Sequence, residues 1–292
     1  MRFSFSGHET FACKTYWLKK GLDFMRTPET RFNDETAVVD LGVGKNMVSS
    51  IRFWLRVFGL VDDNDVPTTF AEFIFGENGS DLYLEDTVTL WLLHYQLIKL
   101  QKASIYSLVF DHFRRERHDF SKQHLKRFLH RKIDGKKESF SDNTLETDIK
   151  TFLNGYISSN PNDIEEGYSN VLQELNLLSH YTQLDDHGHK IDWYRFDVSP
   201  KMDLPLEAML FIIKDNEDYG NSISLSALAN DEAGLGSVFL LTEVALSDKL
   251  KEIPSAYGVF TETAGNPVLQ LNESLDKWTI LTNYYENIGA RI

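Results

Sequence analysis

Apolar residues recur along this chain mainly at three- and four-residue steps, and two-residue alternation is confined to short segments. The pattern predicts a mainly helical fold with small β pieces. In residues 45–58, Val48, Ile51, Leu55 and Phe58 share one face of a helix, while Lys45, Ser49, Arg52 and Arg56 share another. Residues 34–41 suit a short helix, and Gly42 suits the left-handed residue that ends one. A short helix, a glycine turn and a longer helix with a basic stripe form the order of a helix-turn-helix reader. The alternative is a solvated basic face on an ordinary helical hairpin. The next stretch, "VDDNDVPTTFAEFIF", reads as a turn with short strands, the wing of a winged helix. "LEDTVTLWLLHYQLIKL" puts Leu84, Val88, Trp91, Tyr95 and Ile98 on one face and predicts a buried helix.

A second helical pair lies in "FSKQHLKRFLHRKI" and "SDNTLETDIKTFLNGYI", with Ser121 and Ser141 suited as N-caps and Leu145, Ile149, Phe152 and Leu153 on the core face. Residues 158–167, polar and proline-containing, read as a linker. "WYRFDVSP" alternates like a strand and "PLEAMLFIIKD" reads as a buried helix. A third unit, "SLSALANDEAGLGSVFLLTEVALSDKLKEI", predicts a short helix, a glycine turn and a longer helix with Val238, Leu241, Ala245 and Leu246 inward. "YGVFTETAGNPVLQL" follows as a hairpin turning near Gly265-Asn266. The expected fold is mainly α with small β-wings, an α+β chain of tandem winged-helix or helix-turn-helix-like units. Its expected divisions are a DNA-binding unit over 1–80, a helical middle unit over 81–157 and an acidic winged-helix-like unit over 168–292.

Charge sharpens this picture. The net charge is −14, but residues 1–137 hold 21 Lys+Arg against 18 Asp+Glu, whereas residues 138–292 hold 9 against 26. The first half can approach a polyanion; the second is repelled by one unless it points away or meets a basic protein. The densest basic run, 122–137, adds Lys122, Lys126, Arg127, Arg131 and Lys132 to Lys45, Asn46, Ser49, Arg52 and Arg56 as candidate DNA contacts. The single cysteine, Cys13, excludes an intrachain disulfide and a multi-cysteine zinc site. No apolar run follows the first residues, and none nears the roughly 20 residues a membrane span needs, so a cytoplasmic protein without a membrane partner is expected.

Gly44-Lys45 suggests a phosphate-binding loop, but the spacing fails: Val39 stands where that loop needs its first glycine, and Asn46 where it needs a hydroxyl for magnesium. His8 and Glu9 are neighbours and pair only in a turn, as a general base with its carboxylate or as half a metal site; otherwise His8 is a packing histidine. Asp81 and Glu85 are four apart. On a helix they share a face and suit Mg²⁺, as a nuclease requires; alternatively they cap the apolar helix that follows. His187 and His189 sit in a predicted turn, as metal ligands or as exposed loop residues.

Taken together, "SGHETFACKTYWLKKG", "LGVGKNMVSSIRFWL", "FGENGSDLYLEDTVTLWLLHY", "TLETDIKTFLNGY" and "FLLTEVALSDKL" resemble domain-of-unknown-function family 4007 over nearly the whole chain. The resemblance implies a role in bacterial DNA-modification and anti-phage systems, beside ATPases and sulfur-transfer enzymes. The family is similar to the B component of single-strand DNA phosphorothioation systems, a DNA nickase. That implies DNA and these proteins as partners and Mg²⁺ if the chain cuts, with no cofactor otherwise. It assigns no catalytic residue, so His8, Glu9, Asp81 and Glu85 remain candidates from their residue types, and the metal ligands are unknown. The alternative is a regulator or an assembly scaffold without catalysis.

Overall fold

The computed structural model describes residues 2–28, 30–157, 170–263 and 265–289. About 49% of the chain is helix and 12% strand, the strands in small antiparallel sheets, which makes the fold α+β. Residues 1–197 and 198–292 form two compact units. The linker expected at 158–167 lies outside the described residues.

At the centre of the first unit is α5 (Thr87–Lys99), in which every residue from Val88 to Ile98 is buried. A helix apolar all round belongs inside a core, not along its edge. The one-sided stripe expected from the sequence is therefore incomplete. Leu84 is buried but lies ahead of the helix, in left-handed backbone at φ 58°. Three polar side chains, Thr89, His94 and Gln96, are buried within α5; His94 is fully buried, with Nδ1 2.8 Å from the Tyr156 hydroxyl and its ring 4.6 Å from that of Phe110.

The start of α5 is tied down by two aspartates. Asp86 is the N-cap and accepts from the Val88 amide at 2.7 Å. Asp81, itself buried, accepts from the Glu85 amide at 2.8 Å, the Asp86 amide at 3.1 Å and the Thr89 hydroxyl at 2.6 Å. Orphan donors at the end of a helix whose body is buried need such partners.

Ahead of α5 in the chain come α1 (Trp17–Arg26), α2 (Ala37–Asp40), α3 (Lys45–Val57) and α4 (Thr69–Phe75), with α3 packed against both α1 and α2. α6 (Ser104–Ser107) continues through a π-helical segment, Leu108–Phe113, into α7 (Arg114–Glu116). Gly42 takes φ 59° between α2 and α3, the left-handed turn the sequence predicts. Val48, Ile51, Leu55 and Phe58 are all buried. The expected wing is not there: residues 61–67 close through one backbone bridge, Val61 to Pro67, and Thr68 then caps α4. Apolar residues at 70, 71, 74 and 75 have helical spacing, which outweighs the β-favouring composition.

α8 (Lys122–Gly135) and α9 (Asp142–Tyr156) form as expected. Ser121 makes a reciprocal capping box with His124, and Ser141 accepts from the Thr144 amide at 3.1 Å. β1 (Asp119–Phe120), β2 (Leu178–Leu184) and β3 (Lys190–Phe196) form a sheet in the order β1-β3-β2, with Asp119 opposite Arg195 and Leu178 opposite Phe196.

The second unit runs α10 (Leu206–Asp215), β4 (Ser222–Ser224), α11 (Leu225–Asn230), α12 (Leu235–Val238), α13 (Glu243–Lys251), β5 (Gly258–Thr263), β6 (Asn266–Leu271) and α14 (Lys277–Gly289). Its sheet order is β4-β6-β5, and the predicted hairpin is present. The single longer helix expected over the Val238–Leu246 stretch is instead two. Leu240 turns left-handed at φ 54°, and Thr242 caps a new helix by accepting from the Ala245 amide at 3.2 Å. Val238, Leu241 and Leu246 still point inward; Ala245 is only half-buried. Among the described residues no helix is long and apolar enough to cross a membrane.

Asp81→Ala strands two amides and a hydroxyl beside the buried helix. It is expected to lower stability by about 2–4 kcal/mol, read as a shift in the urea midpoint; an unchanged midpoint would show that the cap is dispensable.

Candidate nucleic-acid interface

α3 begins on Gly44, which offers no side-chain cap, and its first turn carries no acid. Lys45, Asn46 and Ser49 are exposed there. One and two turns on, Arg52 and Arg56 lie on the same side but are engaged by the loop read as a wing. Arg52 donates from Nε and Nη2 to Asp65 Oδ2 at 2.9 and 2.6 Å, and from Nη1 to Asn33 Oδ1 at 2.8 Å. Arg56 donates from Nε to Asp65 Oδ1 at 2.7 Å and from Nη2 to the Asp63 carbonyl at 3.2 Å. Asp65 sits at φ 62° in a loop held by Asp62, whose Oδ1 accepts from the Asn64 and Val66 amides, both at 2.8 Å. Partial burial pushes the Asp65 carboxyl up, but the hydrogen bonds and charges of Arg52 and Arg56 outweigh it and hold the group below the usual carboxylate range.

The basic helix α8 is also partly neutralised. Lys126 bridges Asp142 and Glu146, each at 2.7 Å, and Arg131 meets Glu116 at 2.6 Å. Lys132 stands over the Phe128 ring at 5.5 Å, where its ammonium gains a cation–π contact. Lys122 and Arg127 are exposed. The structure thus keeps all ten predicted contact residues on helices but divides them into residues turned to solvent, residues paired with acids and Lys132, which lies over an aromatic ring.

The acid and histidine candidates take other partners. His8 is buried, and its neighbour Glu9 is exposed. Nδ1 of His8 accepts from the Thr10 amide at 3.1 Å, so in the neutral ring the proton is on Nε2, which lies 3.4 Å from Asp148 Oδ2. Asp148, also buried, accepts from the Ser6 amide at 3.0 and 3.1 Å, and Ser50 donates to the His8 carbonyl at 3.0 Å. His8 therefore pins the N-terminal segment to α3 and α9. The segment holds an unusual path: Ser6, Gly7, Glu9 and Thr10 all have positive φ. A Cβ on Gly7 would meet the Phe53 ring at 2.7 Å, so close packing as well as φ requires glycine there.

Asp148 went unremarked in the sequence, yet the signal was available: an acid among Leu145, Ile149 and Phe152 sits on a core face and needs a buried partner. Asp81 and Glu85 do not share a helix face, because the chain from 81 to 86 is the turn before α5. The bonds Asp81 accepts from the Glu85 and Asp86 amides and the Thr89 hydroxyl serve that turn and helix. In the turn between β2 and β3, Asp185 Oδ1 accepts from the His187 and His189 amides at 2.9 and 2.8 Å, which leaves both rings at the surface. Cys13 is buried, which pushes its thiol up and away from reactive thiolate. Among the described residues no three or more His, Cys, Asp or Glu side chains stand together as a metal group.

These features define a two-unit α+β protein whose first unit carries a basic helix beside a glycine turn. The chain belongs to the family of proteins of unknown function DUF4007, whose model matches residues 5–285. A crystal structure of magnesium-ion-bound SspB is similar to it at 26% identity and a TM-score of 0.82, over 98% of this chain and 89% of that one. An SspB crystal structure without that description is similar at 26% identity and a TM-score of 0.80, with the same coverage. No curated protein matches the chain.

Because Asp65 is held low when folded, its stabilising effect is complete above the ordinary carboxylate value of about 3.9 and disappears as pH falls through the lowered folded value. Asp65→Asn is expected to cost about 1–2 kcal/mol at neutral pH and nearly nothing near the acid limit of folding. Urea titrations at both pH values check this; a gap that persists in acid would contradict it.

Proposed function

We propose that this protein is the DNA-binding component of a phosphorothioation-type DNA-modification and antiviral defence system, acting in the cytoplasm with an ATPase and a sulfur-transfer enzyme as partners. The observation that carries the reading is the likeness to SspB, the phosphorothioation defence component B, along nearly the full length of both chains. The charge distribution supports it. Lys45, Asn46 and Ser49 on α3 and Lys122 and Arg127 on α8 are exposed polar or cationic groups in the less acidic half. Arg52 and Arg56 contribute in a different way. Of five N–H donors on each guanidinium, the bonds to Asp65, Asn33 and Asp63 occupy three on Arg52 and two on Arg56. Asp65 therefore holds the two planes in position while donors remain for phosphate oxygens.

The second unit has the element order of a winged helix, but α13, where such a fold reads DNA, carries Glu243 and Asp248. That unit suits a basic protein surface better than a phosphate backbone. This observation favours the second reading, an assembly scaffold without catalysis.

The magnesium of the SspB structure raises DNA nicking with Mg²⁺ as a finer reading. His8, Glu9, Asp81 and Glu85 do not suit it. Asp81 is buried with its oxygens bonded to two amides and a hydroxyl, His8 is buried against Asp148, and Glu9 and Glu85 are exposed and, among the described residues, belong to no group of three or more metal-ligating side chains. Any nicking by this chain would have to draw on other residues.

Gel retardation and supercoiled-plasmid relaxation, with Mg²⁺, Mn²⁺ or EDTA, test the reading. Lys45→Ala with Lys122→Ala and Arg127→Ala is expected to weaken retardation at every sequence and to flatten the salt dependence by about 0.9 per lost duplex phosphate contact. Absence of retardation by the wild-type protein would overturn DNA binding. Metal-dependent open circles would establish nicking, and loss of that nicking in a folded His8→Ala or Glu85→Ala variant would reverse the assignment of those residues to structure.

A further inference from the structure

A cavity in the first unit has a volume of about 1250 Å³ and is lined by α1, the residues just ahead of it and the turn from α2 into α3. Its walls carry Lys14, Lys19 and Lys20, and Tyr16 and Tyr83 line it from two separate segments of the chain. Tyr16 is 52% exposed and Tyr83 56%, so two large aromatic rings remain in water at the cavity. A tyrosine ring exposed in this way presents a flat apolar face for stacking, with a polar tip. On the far side Gly42 leaves the wall open, since a Cβ built there would meet nothing within 4 Å. Lys19 pairs with Asp23 one turn along α1, and Asp40 adds a second acid to the lining, so the lysines outnumber the acids.

The dimensions and chemistry narrow the occupant. The volume exceeds the roughly 300–1,000 Å³ of small-molecule pockets, which favours a segment of a polymer. Ammonium groups beside exposed rings match a polymer that repeats an anion and a flat apolar plate. A duplex offers its phosphates outward but keeps its base faces stacked on one another, out of reach of Tyr16 and Tyr83. Unpaired nucleotides present both parts at once.

We propose that this cavity binds an unpaired segment of a nucleic-acid strand, with bases stacked on Tyr16 and Tyr83 and phosphates met by Lys14 and Lys20. The proposal rests on the DNA-binding reading above and adds the strand state and the residues that select it. None of these four residues is among the contacts the sequence suggested. Their common signal, aromatics interleaved with lysines in "KTYWLKK", becomes informative only when Tyr83 arrives from elsewhere in the chain.

Fluorescence anisotropy with a labelled oligo-dT and with a blunt duplex tests it on the full-length protein. The double variant Tyr16→Ala, Tyr83→Ala is expected to weaken oligo-dT binding by tenfold or more, on the order of a single lost base stack, with duplex affinity and melting temperature unchanged. Tyr16→Phe with Tyr83→Phe keeps the rings and should keep oligo-dT binding. Lys14→Gln with Lys20→Gln should reduce the oligo-dT salt slope by about 0.7 per lost phosphate contact. If the duplex binds and the tyrosine variant leaves oligo-dT binding unaltered, the cavity assignment fails while the DNA-binding reading stands. If neither probe binds the wild-type protein, both fail.

Discussion

The first unit is organised by one constraint: α5 is buried from Val88 to Ile98, and the polar groups where it enters the core are satisfied by protein. Asp81 and Asp86 do this from the turn that leads into the helix, and His94 and Tyr156 satisfy one another inside it. An amide left unpaired in such a place costs as much as several surface contacts contribute. Asp81 and Asp86 are thereby committed to holding the core. Of the two carboxylates spaced for a metal site in the sequence, Asp81 helps the buried helix to begin, while Glu85 contributes its backbone amide and leaves its side chain exposed.

The same economy governs the cations. Arg52 and Arg56 meet Asp65, Lys126 meets Asp142 and Glu146, and Arg131 meets Glu116. Basic residues that look equivalent along the sequence therefore differ in what they offer a polyanion. A lysine turned to water brings its whole charge and its released counterions; an arginine shared with a carboxylate brings a fixed plane and a fraction of its donors. In the Asp65 group the two functions coincide, because the carboxylate that partly neutralises the pair also removes their rotamer freedom.

The N-terminal segment illustrates how a short motif can mislead about its own partners. "SGHETF" puts a histidine next to a glutamate, and the pairing that forms is instead with Asp148, which is 140 residues away in sequence (positions 8 and 148) and buried on α9. Positive φ at Ser6, Gly7, Glu9 and Thr10 turns the backbone so that His8 alone enters the core while Glu9 faces water. Local sequence specifies that such a turn is feasible, through Gly7; the choice of partner depends on which helix packs beneath it.

Local sequence, through apolar spacing and through the residue types at caps and turns, determined the helices α3, α5, α8, α9 and α10, the caps at Ser121 and Ser141, the left-handed Gly42 and the hairpin of β5 and β6. Each of these depends on neighbours within a turn or two, where side-chain spacing and capping geometry are local quantities. The charge contrast between the two halves was equally legible, being a sum over composition. The tertiary structure alone decided that residues 61–67 make an arginine-binding loop with α4 behind it in place of a wing, and that a left-handed Leu240 divides one expected helix into two. It also decided which acids cap, which cations are paired, and that Tyr83 joins the lysines around α1 at one cavity. These outcomes turn on burial and on contacts between residues far apart in sequence, and the energy of a polar group is set by its surroundings as much as by its type.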